Sequence, residues 1–205
     1  YGNGDQGYSD DESKLETLRP LNAYGYSKQM FDLWAKRSRI LDKIVGLKYF
    51  NVYGPDEYHK DDMRSVVNKS FHQVKNEGFA RLFKSDKEGI EDGGQRRDFV
   101  YVKDAVDMTL HFMNNKLASG IYNIGTGKAH SFKEFVSPIF SALGIDDNIE
   151  YIDMPDVLKA KYQYFTEADI SKLRDSGYDK EITPIHDAVT DYVKNYLNTD
   201  DPYLC

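Results

Sequence analysis

Ile44-Val45-Gly46-Leu47-Lys48-Tyr49-Phe50-Asn51-Val52-Tyr53-Gly54-Pro55 reads as a strand ended by a glycine–proline turn. Just before it, Met30, Phe31, Trp34, Ala35, Ser38 and Leu41 recur at helical period, which predicts a helix over 27–41. A helix running into a largely apolar strand is the rhythm of a parallel α/β sheet, whose strands are covered on both faces. The rest of the chain keeps that rhythm. Helices are predicted over 63–75, from Lys103-Asp104 onward, over Phe132–Leu143 and over 184–197, with strands at Ala80–Phe83, 98–102, 120–125 and Ile149–Ile152. Gly144 fits a C-cap glycine. Thr166 followed by Asp169 predicts a further helix over 166–175 with Thr166 as its N-cap.

The 205 residues are 40% hydrophobic and 30% charged, the composition of a globular chain rather than a disordered one. A net charge of −7 argues against non-specific nucleic-acid binding, which needs a basic surface. No run of 18 apolar residues occurs, so no membrane-spanning helix is expected. The start, Tyr1-Gly2-Asn3-Gly4-Asp5, has no initiator Met and neither the basic nor the apolar segment of a signal peptide; we expect a cytoplasmic protein and an excised fragment. Cys205 is the single cysteine and the last residue, which predicts neither an internal disulfide nor a cysteine metal site. His59, His72, His111, His130 and His186 lack ligand spacing, so no metal is expected.

Chemistry concentrates in a few motifs. Tyr24 and Lys28 stand at i and i+4 in Asn22-Ala23-Tyr24-Gly25-Tyr26-Ser27-Lys28, on one face of a helix. A cation there favours the phenolate, as a general base requires, and the ammonium can also serve a ribose. Alone, the pair fits equally an exposed helix with a tyrosine packed on a lysine stem. Asn51-Val52-Tyr53-Gly54-Pro55 ends a strand, and ligands of open α/β sheets gather beyond strand carboxyl ends. Lys60 follows on a loop bordering that region, where it is either a solvated charge or a proton-exchanging group. Arg97, directly before a buried strand, offers a fork for a diphosphate; its alternative is a surface pair with an aspartate. Asn123-Ile124-Gly125-Thr126-Gly127 lacks the third glycine of a dinucleotide loop and reads as a structural turn. Tyr162, in Lys161-Tyr162-Gln163, is either a ligand-stacking residue or a core tyrosine.

Four segments taken in this order resemble the extended short-chain dehydrogenase/reductase family that works on nucleotide sugars. They are Pro20-Leu21-Asn22-Ala23-Tyr24-Gly25-Tyr26-Ser27-Lys28, Tyr49-Phe50-Asn51-Val52-Tyr53-Gly54-Pro55, Arg97-Asp98-Phe99-Val100-Tyr101-Val102 and Tyr122-Asn123-Ile124-Gly125. His59-Lys60, Leu82-Phe83, 161–166 and Leu173-Arg174 with Gly177-Tyr178-Asp179 resemble its ADP-sugar epimerases. The resemblance covers nearly the whole chain. It implies an α/β fold made of the C-terminal part of an NAD(P)-binding Rossmann sheet plus a small mixed α/β substrate domain. In that division 1–60 is the Rossmann remnant carrying the Tyr-x-x-x-Lys helix, and 61–205 is mainly substrate domain, with 98–127 returning to the sheet.

The resemblance also assigns roles. Tyr24 and Lys60 become the two acid/bases, with Lys28 as partner of Tyr24. Tyr24, Lys28, Val52 and Lys60 meet NADP, with NAD as the alternative cofactor. Asn51, Asp62, Lys69, Phe83, Lys84, Ser85, Asp86, Arg97 and Tyr162 hold the ADP-sugar substrate. Asp62, Lys69 and Lys84 are atypical residue types there, and the glycine-rich loop before Arg97 is long. Two bases make chemical sense: inverting a carbinol carbon by transient oxidation and re-reduction needs a proton donor on each face. The family's glycine-rich cofactor loop has no counterpart in the chain, which implies little NADP affinity or turnover for the isolated polypeptide. The resemblance further implies a homo-oligomeric parent that feeds lipopolysaccharide-type surface glycans. Another nucleotide-sugar 4-epimerase, a 4,6-dehydratase, or a non-catalytic nucleotide-sugar-binding fragment stand as alternatives.

Overall fold

The computed structural model describes residues 1–115, 118–159 and 162–201, so Lys161 of the Tyr162 motif and Cys205 lie outside the described residues. The strands are β1 (Val45–Tyr49), β2 (Asn51–Tyr53), β3 (Ala80–Phe83), β4 (Arg96–Tyr101), β5 (Gly120–Ile124), β6 (Ala129–Ser131) and β7 (Ile149–Ile152). The helices are α1 (Ala23–Arg37), α2 (Val66–Glu77), α3 (Val102–Asn114), α4 (Phe132–Leu143), α5 (Asp156–Lys159), α6 (Ser171–Asp175) and α7 (Ile185–Tyr192).

The strand that opens the reading is real but kinked. β1 pairs parallel with β5, and β2 pairs parallel with β4, so the segment changes partner at Phe50. Phe50 N–H bonds the Ile124 carbonyl at 2.9 Å, and the Val52 N–H closes back on the Phe50 carbonyl at 2.9 Å. That local closure turns the chain from one partner to the next. β3 pairs parallel with β7, while β6 runs antiparallel to β4. This departure from the parallel rhythm has a cause in Asp98, which is fully buried. Its carboxylate accepts the N–H groups of Thr126 (2.8 Å), Gly127 (2.9 Å) and Ala168 (3.0 Å) and the Thr126 hydroxyl (2.8 Å), folding the chain back on β4. The glycine-containing stretch after β5 is thus the structural turn expected of it.

α1 starts at Ala23, earlier than its apolar period suggests, because the Asn22 side chain accepts the Gly25 N–H at 2.8 Å and caps it. α2 is capped by Ser65 and stopped by Gly78 at φ 82°, and its Val67, Phe71 and Val74 stripe is buried. α4 carries a complete Ser131/Glu134 capping box and ends at Gly144. These stripes meet in a core that joins α2, α4 and α7 to β3 and β4, where each fully buried Phe, such as Phe71, Phe135 or Phe140, contributes about 1.5–3 kcal/mol. A second core lies between α3, β5 and α6, and a third holds α1 against Leu15, Leu18 and Ile121.

One helix starts later than expected. The Thr166 hydroxyl accepts the Asp98 N–H at 3.3 Å instead of capping a helix, and the Thr166 N–H bonds the Arg96 carbonyl at 3.2 Å. Residues 164–166 therefore lie along β4, and α6 begins only at Ser171, whose N–H and hydroxyl bond Asp169.

Candidate active site

Tyr24, Arg97 and Tyr162 line one cavity of about 360 Å³, together with Asn22, Gly25 and Gln163. Three stretches far apart in sequence therefore meet at the opening turn of α1. The Tyr24 ring is 73% exposed, so its phenol is open to an incoming group. Lys28 places its ammonium 5.1 Å from the centroid of that ring.

Arg97 is the anomaly of the cavity. It is only 7% exposed, yet no carboxylate pairs with it among the described residues. Its guanidinium donates to the Arg96 carbonyl at 2.9 Å and lies 5.3 Å from the Tyr162 ring centroid and 5.9 Å from that of Phe132. Burial pushes its pKa down, because the charged form has lost water without gaining an anion. A nearly buried guanidinium at a cavity wall, with no carboxylate partner among the described residues, has the chemistry to bind an anion. The surface pair with an aspartate is excluded by this burial. Tyr162 is raised by burial, with the neighbouring Arg97 opposing the shift, so it stays a neutral hydroxyl.

Tyr162 also walls a second cavity of about 400 Å³, lined by Lys69, Gln73, Arg81, Phe83, Gln95 and Phe132 among others. Phe83 meets Tyr162 edge-on at 6.5 Å. Its lining combines aromatic rings with amides and cations. Gln73, Arg81 and Gln95 were not expected from the sequence. Gln95 is almost fully buried and donates to the Lys84 carbonyl at 3.1 Å, which fixes the floor of this cavity. A buried amide directly before the Arg96-Arg97 pair was the available signal.

The other expected residues fall outside these two cavities. Lys60 and Asp62 lie on an exposed 3-10 turn, Tyr58–Met63, and Lys69 Nζ reaches back to the Asp62 carbonyl at 3.1 Å. Asn51 and Val52 sit on β2, Asn51 exposed and Val52 packed against the second core. Lys84 turns away to an ion pair with Asp153 at 2.9 Å. Ser85 and Asp86 are tied into the following loop, the Ser85 N–H to Asp92 (2.8 Å) and the Asp86 N–H to the Tyr164 hydroxyl (3.1 Å). A larger cavity of about 700 Å³, between that loop and α4, contains none of the expected residues. Among the described residues no cluster of His, Cys, Asp and Glu could hold a metal, and no helix is long and apolar enough to cross a membrane.

Fold and site together define an α/β protein with parallel strand pairs and a cavity that joins a phenol to a guanidinium. Residues 1–125 match the NAD dependent epimerase/dehydratase family, and the chain belongs to that family. It is 52% identical over 204 residues to the ADP-L-glycero-D-manno-heptose-6-epimerase of Nitratidesulfovibrio vulgaris (strain DP4), covering 100% of this chain and 63% of that relative. It is 51% identical over 213 residues to the enzyme of the same name from Fusobacterium nucleatum subsp. nucleatum, covering 100% of this chain and 64% of the relative. The crystal structure of the Helicobacter pylori ADP-L-glycero-D-manno-heptose-6-epimerase superposes with a TM-score of 0.72 at 31% identity, over 86% of this chain and 52% of that one. The chain thus spans less than two thirds of the length of these curated relatives.

Proposed function

We propose that the protein carrying this chain epimerises ADP-D-glycero-D-manno-heptose at C6 to the L-glycero form, as a step in supplying lipopolysaccharide-type glycans. The observation that carries the proposal is the buried, unpaired Arg97 in one cavity with the accessible Tyr24 phenol. An anion held by Arg97 leaves the rest of its ligand within reach of Tyr24. The names of the relatives supply the sugar.

In this reading Arg97 holds the diphosphate by charge-assisted hydrogen bonds, and the neighbouring cavity of Phe83, Gln95 and Phe132 takes the base. Tyr162, between the two, positions the link. The family name and the exposed Tyr24–Lys28 pair support a nicotinamide cofactor: on α1 the Lys28 ammonium lies 5.1 Å from the centroid of the Tyr24 ring, where it can serve a ribose. When bound, oxidised NADP would take the hydride from the substrate and return it. Tyr24 holds or moves a proton at its phenolic oxygen, and Lys60 does so at its ammonium on the opposite face. The parallel pairing of β1 with β5 and of β2 with β4 supports assigning 1–60 and 98–127 to the cofactor domain, and the remainder of 61–205 to the substrate domain.

The test is a substrate panel on the full-length protein. ADP-heptose should turn over, faster with NADP than with NAD, and UDP-galactose should not. Turnover of the UDP-sugar alone would replace this reading with that of a 4-epimerase.

A further inference from the structure

Glu57 is a carboxylate that the mechanism above does not use, and it is only 3% exposed. It opens the turn that carries Lys60. Its backbone carbonyl accepts the Lys60 N–H at 3.0 Å, and its carboxylate accepts the Ser65 N–H at 2.7 Å and the Ser65 hydroxyl at 2.5 Å. One residue therefore brackets the turn at both ends. The remaining capacity of Oε1 goes to the Tyr192 hydroxyl at 2.9 Å, and that hydroxyl in turn accepts from the Asn68 amide at 3.0 Å. Tyr192 is fully buried on α7, and Ser65 is the N-cap of α2. The exposed turn is thus anchored through Glu57 to two helices of the main core.

The backbone inside and beside the bracket is strained. Asp61 sits at φ 46° and ψ −120°, and Asp56 at φ 65°, both non-glycine residues in the left-handed half of conformational space. Such conformations persist only where the surroundings over-determine them; here the Glu57 bonds at both ends of the turn act together with Arg64 Nε–H on the Asp61 carbonyl (2.7 Å) and the Lys69 ammonium on the Asp62 carbonyl (3.1 Å). Burial, with Glu57 beside it, keeps the Tyr192 phenol protonated and so a donor to Glu57. Lys60 itself makes no ion pair among the described residues, so its placement depends on the backbone beneath it.

We propose that Glu57 is a positioning residue for Lys60: its buried carboxylate fixes the strained 58–64 turn against α2 and α7 so that the lysine is presented in one orientation. This rests on the reading of Lys60 as the second acid/base. Because Glu57 touches neither cavity, its loss should leave nucleotide binding intact while impairing proton transfer.

The test uses the full-length, cofactor-loaded protein with three substitutions. Glu57→Gln keeps the shape but removes one acceptor, Tyr192→Phe keeps the core ring but removes the donor to Glu57, and Lys60→Ala removes the group they serve. Turnover of ADP-heptose is measured beside calorimetric binding of ADP and amide exchange along the turn. Lys60→Ala should lower kcat about 100-fold. Glu57→Gln should lower kcat about tenfold or more, with ADP affinity within about twofold and faster exchange at the Lys60 and Ser65 amides; Tyr192→Phe should do the same to a smaller degree. Wild-type turnover of Lys60→Ala overturns the reading of Lys60, not the geometry. An impaired Lys60→Ala beside a fully active Glu57→Gln, or a Glu57→Gln that loses ADP affinity as much as turnover, overturns the role of Glu57. Should Glu57→Gln not fold, Tyr192→Phe decides on the same split.

Discussion

The Arg97 guanidinium carbon lies 5.3 Å from the centroid of the Tyr162 ring, with the Phe132 ring at 5.9 Å on the same cation. Two aromatic rings thus hold a guanidinium that no carboxylate among the described residues neutralises. Arg97→Lys keeps the charge but loses both the planar fork and the stacking. ADP affinity of the full-length protein, by calorimetry, should fall about tenfold or more, with little change in melting temperature.

Asp98 joins β4 to the turn after β5 and to the segment before α6 by three backbone N–H groups and one hydroxyl. Asp98→Ala leaves three N–H groups, one buried and two half-buried, without this acceptor. We expect a loss of about 3 kcal/mol or more in urea unfolding.

Gly54 sits at φ 145°, where a Cβ would meet Val102 Cβ at 3.0 Å and Tyr101 Cε2 at 3.1 Å and would overlap Val102 Cγ1 outright. These neighbours belong to β4 and the first turn of α3 and cannot withdraw. Gly54→Ala should cost about 2 kcal/mol or more in the same measurement.

Asp191 contributes a pH dependence of definite sign. Burial would raise its carboxyl, but hydrogen bonds from Lys103 (2.8 Å), Tyr101 (2.7 Å) and Asn195 (2.7 Å) outweigh that and hold it below the ordinary aspartate value of 3.8. The unfolded chain therefore binds this proton first as pH falls. The stabilisation is complete above pH 3.8 and is lost as pH drops through the folded value. The stability gap between wild type and Asp191→Asn should be widest near about pH 6 and close toward about pH 3.

Much of this was legible in the sequence where the signal is local. The Tyr24–Lys28 spacing needs only a helix, and the Asn22 cap supplies one. Arg97 was legible as a candidate anion ligand because it leads into residues that read as a buried strand, and it lies within β4. The second cavity was not, since Gln73, Arg81 and Gln95 come from three elements and only long-range packing unites them. Thr166 misled for a related reason: its hydroxyl serves Asp98, 68 positions away, and a local capping pattern cannot register that competitor. The three residues of β6 carry too little periodicity to reveal an antiparallel strand.

In the proposed reaction Tyr24 transfers a proton to or from a nucleotide sugar whose diphosphate Arg97 holds. Turnover of ADP-heptose by the full-length, cofactor-loaded Tyr24→Phe variant tests it most directly. Because Tyr24 is 73% exposed, the substitution should leave folding unchanged. In that variant kcat should fall about 100-fold or more, with ADP affinity retained. Wild-type turnover in that variant would contradict it.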